Sequence, residues 1–279
     1  MLGFYFNSPA DDPFVITPRS PYNTCEASKR AVFVNVSKES GLHGASRTYL
    51  VACFTIVIAA CGGGNNPASP MQPGNYDLQA GMAKMVANGL SSNVALSGMV
   101  TVNGVSTAFT GSGTFTRPPA VSATFNGTAA LSQTTTVAGS VTAAGQTSAY
   151  STNVTDYYAS SDSAFLGEVS ANEYDVAQAP FLFPSTVVGG SSGTLGTLSR
   201  YTDSTMSVSL GTAQVSYFLL TPVDPGSPIG IEVTTKIYDA QNTLIETDVT
   251  DYTMTTSSVV SLSGATAQNQ SGTLKVTAQ

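Results

Sequence analysis

Val100-Thr101-Val102-Asn103-Gly104-Val105 decides how this chain folds. Valine and threonine alternate up to an Asn-Gly pair, and those two residues accept the positive φ values of a two-residue hairpin turn. Val105–Thr116 then returns as the partner strand. Arg117-Pro118-Pro119 stops it, because proline has no N–H to give to a ladder. A period of two sends successive side chains to opposite faces. The stretch therefore predicts an antiparallel hairpin with one apolar and one polar, solvated face.

The same pattern continues downstream. Asn126-Gly127 separates Val121–Phe125 from Thr128–Val137, and Gly145 joins two further strands that end at Asp156-Tyr157-Tyr158. Short strands are expected at Ala164–Val169 and Glu173–Ala177, with Gly189-Gly190-Ser191-Ser192-Gly193 as a loop. Met206, Val208 and Leu210 alternate with Thr205, Ser207 and Ser209, and Val215, Tyr217 and Leu219 follow before the turn at Asp224-Pro225-Gly226. Ile231, Val233 and Ile237 alternate with Glu232, Thr234 and Lys236. Leu244–Thr250, with Glu246 and Asp248 on its solvent side, Val259–Leu262 and Leu274–Val276 complete a meander. About 10 to 12 short strands joined by tight turns predict an all-β fold, an antiparallel sandwich or a curved half-barrel meander. One short N-terminal helix is expected over Asp77–Gly89: Asp77 caps it, Leu78, Met82, Met85 and Val86 recur at helical spacing, and Asn88-Gly89 closes it.

Upstream the grammar changes. Tyr49–Ala60 is an apolar run, shorter than the roughly 20 residues a membrane-spanning helix needs. It has the length of a signal-peptide apolar region, with Arg47 as its positive flank. Ile58-Ala59-Ala60-Cys61 ends it, and Gly62-Gly63-Gly64 follows. A buried strand explains the β-branched run but not a cysteine followed by three glycines. Lipobox, glycine tether and Ser/Thr-rich β body together resemble the small uncharacterised lipoproteins of Gram-negative bacteria. The resemblance implies signal cleavage between Ala60 and Cys61, attachment of palmitate-type acyl chains to Cys61, and, with Gly62 in second place, sorting to the outer membrane. It brings no active-site residues. The organisation expected is residues 1–46 as a misplaced start or disordered N-terminal extension, 47–60 as the lipoprotein signal, 61–75 as a flexible tether and 76–279 as the β-rich domain.

From Cys61 onward five basic residues stand against thirteen acidic ones, a balance of −8. Nucleic-acid binding needs clustered Lys and Arg to displace counterions, so that partner class is excluded. Cys25 and Cys53 lie before the cleavage point, which leaves Cys61 no intramolecular disulfide partner. The lone histidine, His43, is also upstream. A His-based metal site or a Ser-His or Cys-His nucleophile is therefore ruled out. Gly189–Gly193 spells G-x-S-x-G, but that motif works only at a strand-to-helix elbow with a histidine partner. Carboxylates remain: Glu168, Glu173 and Asp175 form one group, and Glu246, Asp248 and Asp251 a second. Either could supply a glycosidase pair or calcium ligands. Tyr150, Tyr157, Tyr158, Tyr174, Tyr201, Tyr217, Tyr238 and Tyr252 could form an aromatic face or simply pack.

The reading reached is a lipid-anchored envelope protein with a non-enzymatic interaction or structural role. It names no cofactor, no metal and no catalytic residue. Its expected partners are the membrane through the anchor and an envelope protein or an apolar ligand. A carrier or sensor holding an apolar ligand in a half-barrel cavity is the second reading, and a carboxylate-based hydrolase the third.

Overall fold

The computed structural model describes residues 75–279 apart from 103, 223 and 225. Residues 1–46, the signal, Ala60, Cys61 and the tether lie outside the described residues. The helix forms where its caps predict: α1 runs over Leu78–Asn88, the Asp77 carboxylate accepts from the Ala80 N–H, and Gly89 at φ 75° lets its own N–H reach the Met85 carbonyl. Leu78, Gly81, Met82, Met85 and Val86 make its buried stripe. A Cβ on Gly81 would sit 2.4 Å from the Met254 sulfur. The glycine that weakens helix propensity is thus what lets α1 lie against the sheet.

Thirteen strands follow: β1 (Leu90–Val102), β2 (Val105–Arg117), β3 (Val121–Phe125), β4 (Thr128–Ala143), β5 (Gln146–Ala159), β6 (Phe165–Val169), β7 (Tyr174–Phe181), β8 (Ser192–Tyr201), β9 (Ser209–Leu219), β10 (Ile229–Tyr238), β11 (Leu244–Met254), β12 (Val260–Asn269) and β13 (Gly272–Ala278). Tight turns join many of them, with positive φ at Gly104, at Asn126-Gly127 and at Ala144-Gly145. All pairings are antiparallel. The all-β meander with one N-terminal helix is therefore the architecture, and it curls further than a half-barrel. β1 pairs with β13, and β2 pairs with β4, so twelve strands close into a barrel. The thirteenth, β3, pairs with the first residues of β4 and stands outside the ring.

Glycine makes the closing seam. Gly113 on β2 lies directly opposite Gly139 on β4. A Cβ on Gly139 would fall 2.1 Å from the Ser112 carbonyl oxygen, and one on Gly113 2.4 Å from that of Ala138. No side chain fits there, so the two backbones approach closely and the sheet bends shut.

Alternation then sorts the residues. Inward positions carry Val94, Leu96, Phe109, Phe115, Val137, Leu198, Val215, Ile229, Ile231, Leu274 and Val276, all in one buried cluster with α1. Outward positions on β1, β2, β4 and β5 are mostly serine and threonine, as at Ser97, Thr110, Thr142 and Thr147 on four neighbouring strands. An apolar lining and a hydroxyl-rich exterior is the reverse of the arrangement by which strands cross a bilayer. Among the described residues no helix is long and apolar enough to cross one either.

Two expectations need correction. Met206 and Val208 are exposed residues of the loop before β9, not inward strand positions, because the chain turns at Asp203–Met206 and pairing starts at Ser209. Glu246 and Asp248 are not on the solvent side of their strand, and Asp248 is the deeper of the two. It is 2% exposed inside the barrel, since Thr250, Tyr252 and Met254 share its face and Val249 points outward. Its inward position is matched by a polar wall on β5–β8, described next.

Candidate functional site

The barrel interior divides into an apolar part beside α1 and an acidic part beyond it. Beside the helix lies a cavity of about 60 Å³. Met82 and Met85 of α1 face Phe165, Phe181, Val215 and Val233 across it. Gln79, Asp162 and Leu182 also border it, and Leu182 is among the exposed apolar residues. Arg117, Tyr158, Thr250 and Tyr252, all buried strand residues, contribute the polar part of its lining.

Arg117 reaches the interior because Phe109, Phe115 and Arg117 share one parity on β2. Its Nε donates to the Gln133 side-chain oxygen at 2.6 Å, and its Nη2 donates to Asp156 at 2.6 Å and to the Tyr158 hydroxyl. Nη1 has no partner. Burial alone would lower the guanidinium pKa, but Tyr158 and Asp156 beside it more than reverse that, so Arg117 stays charged. Burial pushes the Tyr158 phenol well up, so it stays neutral, and it donates to Asp156 at 3.2 Å. Gln133 completes the junction with α1. Its amide nitrogen donates to the carbonyls of Met85 and Val86 at the end of the helix and to that of Pro118. The Met85 and Val86 carbonyls thus accept from Gln133 in addition to the Gly89 and Ala120 N–H groups, which ties the end of α1 to β4.

Register extends this junction into a wall. Gln133 is opposite Asp156, Asp156 opposite Glu168, Glu168 opposite Asp175, and Asp175 opposite Arg200, on five consecutive strands. Glu173 joins through Arg200, whose Nη2 lies 2.5 Å from its carboxylate, while Asp175 is 3.5 Å from the Arg200 Nε. Glu246 and Asp248 of β11 lie close enough to feel these charges. Six carboxyls thus share the interior with two guanidiniums. Burial resolves the imbalance by raising carboxyl pKa values. Glu168 rises to about 8, first by desolvation and then by the Asp156 charge. Desolvation drives Asp175 and Asp248 well up as well, aided respectively by Glu168 and by Glu246. The resulting interior has two ion pairs and several carboxyls that keep their protons.

The structure therefore brings Glu168, Glu173, Asp175, Glu246 and Asp248 together from both sequence groups. Asp251 faces outward on β11, under the influence of Glu232 and Lys275. Among the described residues no three carboxylates converge with metal-ligand geometry. Asp156, Glu168, Asp175 and Asp248 are all buried, with at most 4% of each exposed. The G-x-S-x-G loop leads into β8, not into a helix, and its Ser191 hydroxyl accepts from the Val188 N–H. The tyrosines divide. Tyr158 and Tyr252 are buried inside, whereas Tyr157 and Tyr174 lie on the outer face under Phe125, whose ring stacks on both at 4.5 and 5.3 Å. Tyr174 also donates to the Asn126 side chain at 2.6 Å, so the β3–β4 hairpin is pinned to the barrel's exterior.

Arg117 and Gln133 escape a reading of the sequence that takes Arg117 only as a strand terminus. Counting two residues on from Phe115 would have placed Arg117 on the inner face. Nothing local marks Gln133.

No family model and no curated protein matches this chain. Among solved structures, a domain of Vibrio parahaemolyticus assigned provisionally to outer membrane lipoprotein sorting aligns over 73% of this chain and 90% of its own, with 11% identity and a TM-score of 0.25. A likeness at that score assigns neither fold nor function.

Proposed function

We propose that the protein is a non-enzymatic binding barrel of the cell envelope, anchored by acyl chains on Cys61, which takes the end of a thin apolar ligand between α1 and the barrel wall. The observation that carries this is the cavity enclosed by Met82, Met85, Phe165 and Phe181 inside a closed, water-facing barrel. Concave apolar sites with a few convergent polar groups are what small-molecule binding uses. At about 60 Å³ the space holds roughly two water-sized groups. The cavity therefore receives a chain end, and the rest of the ligand lies across the rim at Gln79 and Leu182. Methionine side chains are flexible and polarizable and suit a ligand of variable shape.

The envelope assignment rests on the Ile58–Gly64 signal and the hydroxyl-rich exterior. A hydrolase reading fits less well, because Glu168, Asp175 and Asp248 are buried and burial raises the pKa of each.

The test is methyl NMR on the full chain with labelled methionine, titrated with hexan-1-ol. Saturable shifts confined to Met82 and Met85, abolished by Ala83→Phe at the cavity wall, are expected. Absence of any saturable shift overturns the ligand reading. For the anchor, radiolabelled palmitate should mark the wild type and not Cys61→Ser. Equal labelling of both overturns it.

A further inference from the structure

Resting on the acylated Cys61 of that reading, we infer that the α1 end of the barrel docks on a zwitterionic lipid surface, with the cavity mouth turned to the bilayer. Strand direction gathers four exposed apolar residues at that end. Leu182 follows β7, Val188 precedes β8, Leu220 follows β9 and Val259 precedes β12. These strands belong to one antiparallel succession, so the ends of β7 and β9 lie level with the starts of β8 and β12. The helix crosses the same end. The Gln79 N–H donates to the Pro184 carbonyl after β7, the Lys84 Nζ to the Ser257 carbonyl before β12, and the Ala120 N–H after β2 to the Val86 carbonyl. Leu182, which borders the cavity, is therefore part of an apolar rim around α1. Val188 and Leu220 share one side of that rim. The Gly190 N–H donates to the Leu219 carbonyl, and a Cβ on Gly189 would fall 2.5 Å from the Pro222 Cδ.

The place where the chain enters the barrel selects the occupant. The Tyr76 N–H donates to the Val187 carbonyl and the Val187 N–H to the Tyr76 carbonyl. The chain coming from Cys61 thus joins the barrel one residue from Val188. Fifteen residue steps separate Cys61 from Tyr76, at most about 50 Å of chain. Turning the opposite end to the bilayer would take up to about 36 Å of that, the length of the 11-residue β9. The α1 end reaches the lipid with chain to spare, and its apolar side chains leave water by entering the bilayer.

Charge selects the kind of lipid. On the helix and the described loops of this end, the exposed charges are Asp77, Asp162 and Asp224 against Lys84. Anionic headgroups attract clustered basic residues, and this end has none. A zwitterionic surface takes the apolar rim without repelling the aspartates.

The chain has no tryptophan, so a single introduced indole reports alone. The full chain, as produced in cells, is reconstituted into vesicles of phosphatidylcholine or of phosphatidylglycerol, both with brominated acyl chains. Flotation with the vesicles reads the anchor, and quenching by bromine reads the docking. In phosphatidylcholine, Leu220→Trp and Val259→Trp, each at a residue 54% exposed, should be quenched several-fold more than Val208→Trp, at a residue 53% exposed on the opposite end. Val259→Trp alone decides the matter if Leu220→Trp does not fold. Leu220→Asp should cut the quenching of Val259→Trp, since losing one buried leucine lowers the docking constant about tenfold or more. Flotation with equal quenching at the two ends, or with none, overturns the docking and leaves the anchor intact. Absent quenching with dimers in detergent assigns the rim to a second copy and overturns the lipid. Stronger quenching in phosphatidylglycerol overturns the choice of a zwitterionic surface. Failure to float overturns the anchor and this inference with it.

Discussion

Replacing Glu168 with glutamine should flatten the pH dependence of stability. Glu168 is 4% exposed, lies between Asp156 and Asp175 on the wall, and holds its proton up to about pH 8. In the unfolded chain the same group loses its proton near 4.5. Between those values the folded barrel binds a proton that the unfolded chain has released, so stability is full below about 4.5 and falls as pH rises towards 8. At about 1.4 kcal/mol per pH unit, the window amounts to about 5 kcal/mol, comparable with the whole stability of a small domain. Glutamine keeps the shape and has no proton to lose. Urea unfolding followed by far-UV circular dichroism, at steps from pH 4.5 to 8.5, gives both slopes. Wild type should lose several kcal/mol over that range and Glu168→Gln markedly less. Parallel slopes, or a wild type that gains stability with rising pH, would refute the reasoning.

Other substitutions probe other parts. Gln133→Ala strips the Arg117 Nε of its acceptor and takes a donor from the Met85, Val86 and Pro118 carbonyls, and urea unfolding should show a loss of about 3 kcal/mol. Gly139→Ala places a methyl 2.1 Å from the Ser112 carbonyl at the closing seam. It should abolish the folded barrel by circular dichroism, whereas Gly127→Ala, at φ 74° with open space around it, should cost only about 1 kcal/mol. Phe125→Ala removes the ring stacked on Tyr157 and Tyr174 and should cost about 3 kcal/mol, with a change in tyrosine fluorescence confined to the outer cluster.

Local chemistry determined much of this protein. Alternation over Ile229–Tyr238, Asn-Gly turns, and the Asp77 and Gly89 caps each act within a few residues, so strands, hairpins and α1 were legible from the chain. What a strand packs against was not. Asp248 reads as a solvent-facing carboxylate because its neighbours in sequence are polar, yet it faces inward, beside Glu168 and Glu173 from strands far away in sequence. Closure was equally hidden. It depends on Gly113 meeting Gly139 across the seam, a pairing fixed by the register of strands 26 residues apart. The cavity beside α1 and the spare donor of Arg117 belong to the same class. They arise from how side chains of α1 and eight strands fill one interior, and the sequence orders residues along a line while packing orders them in volume.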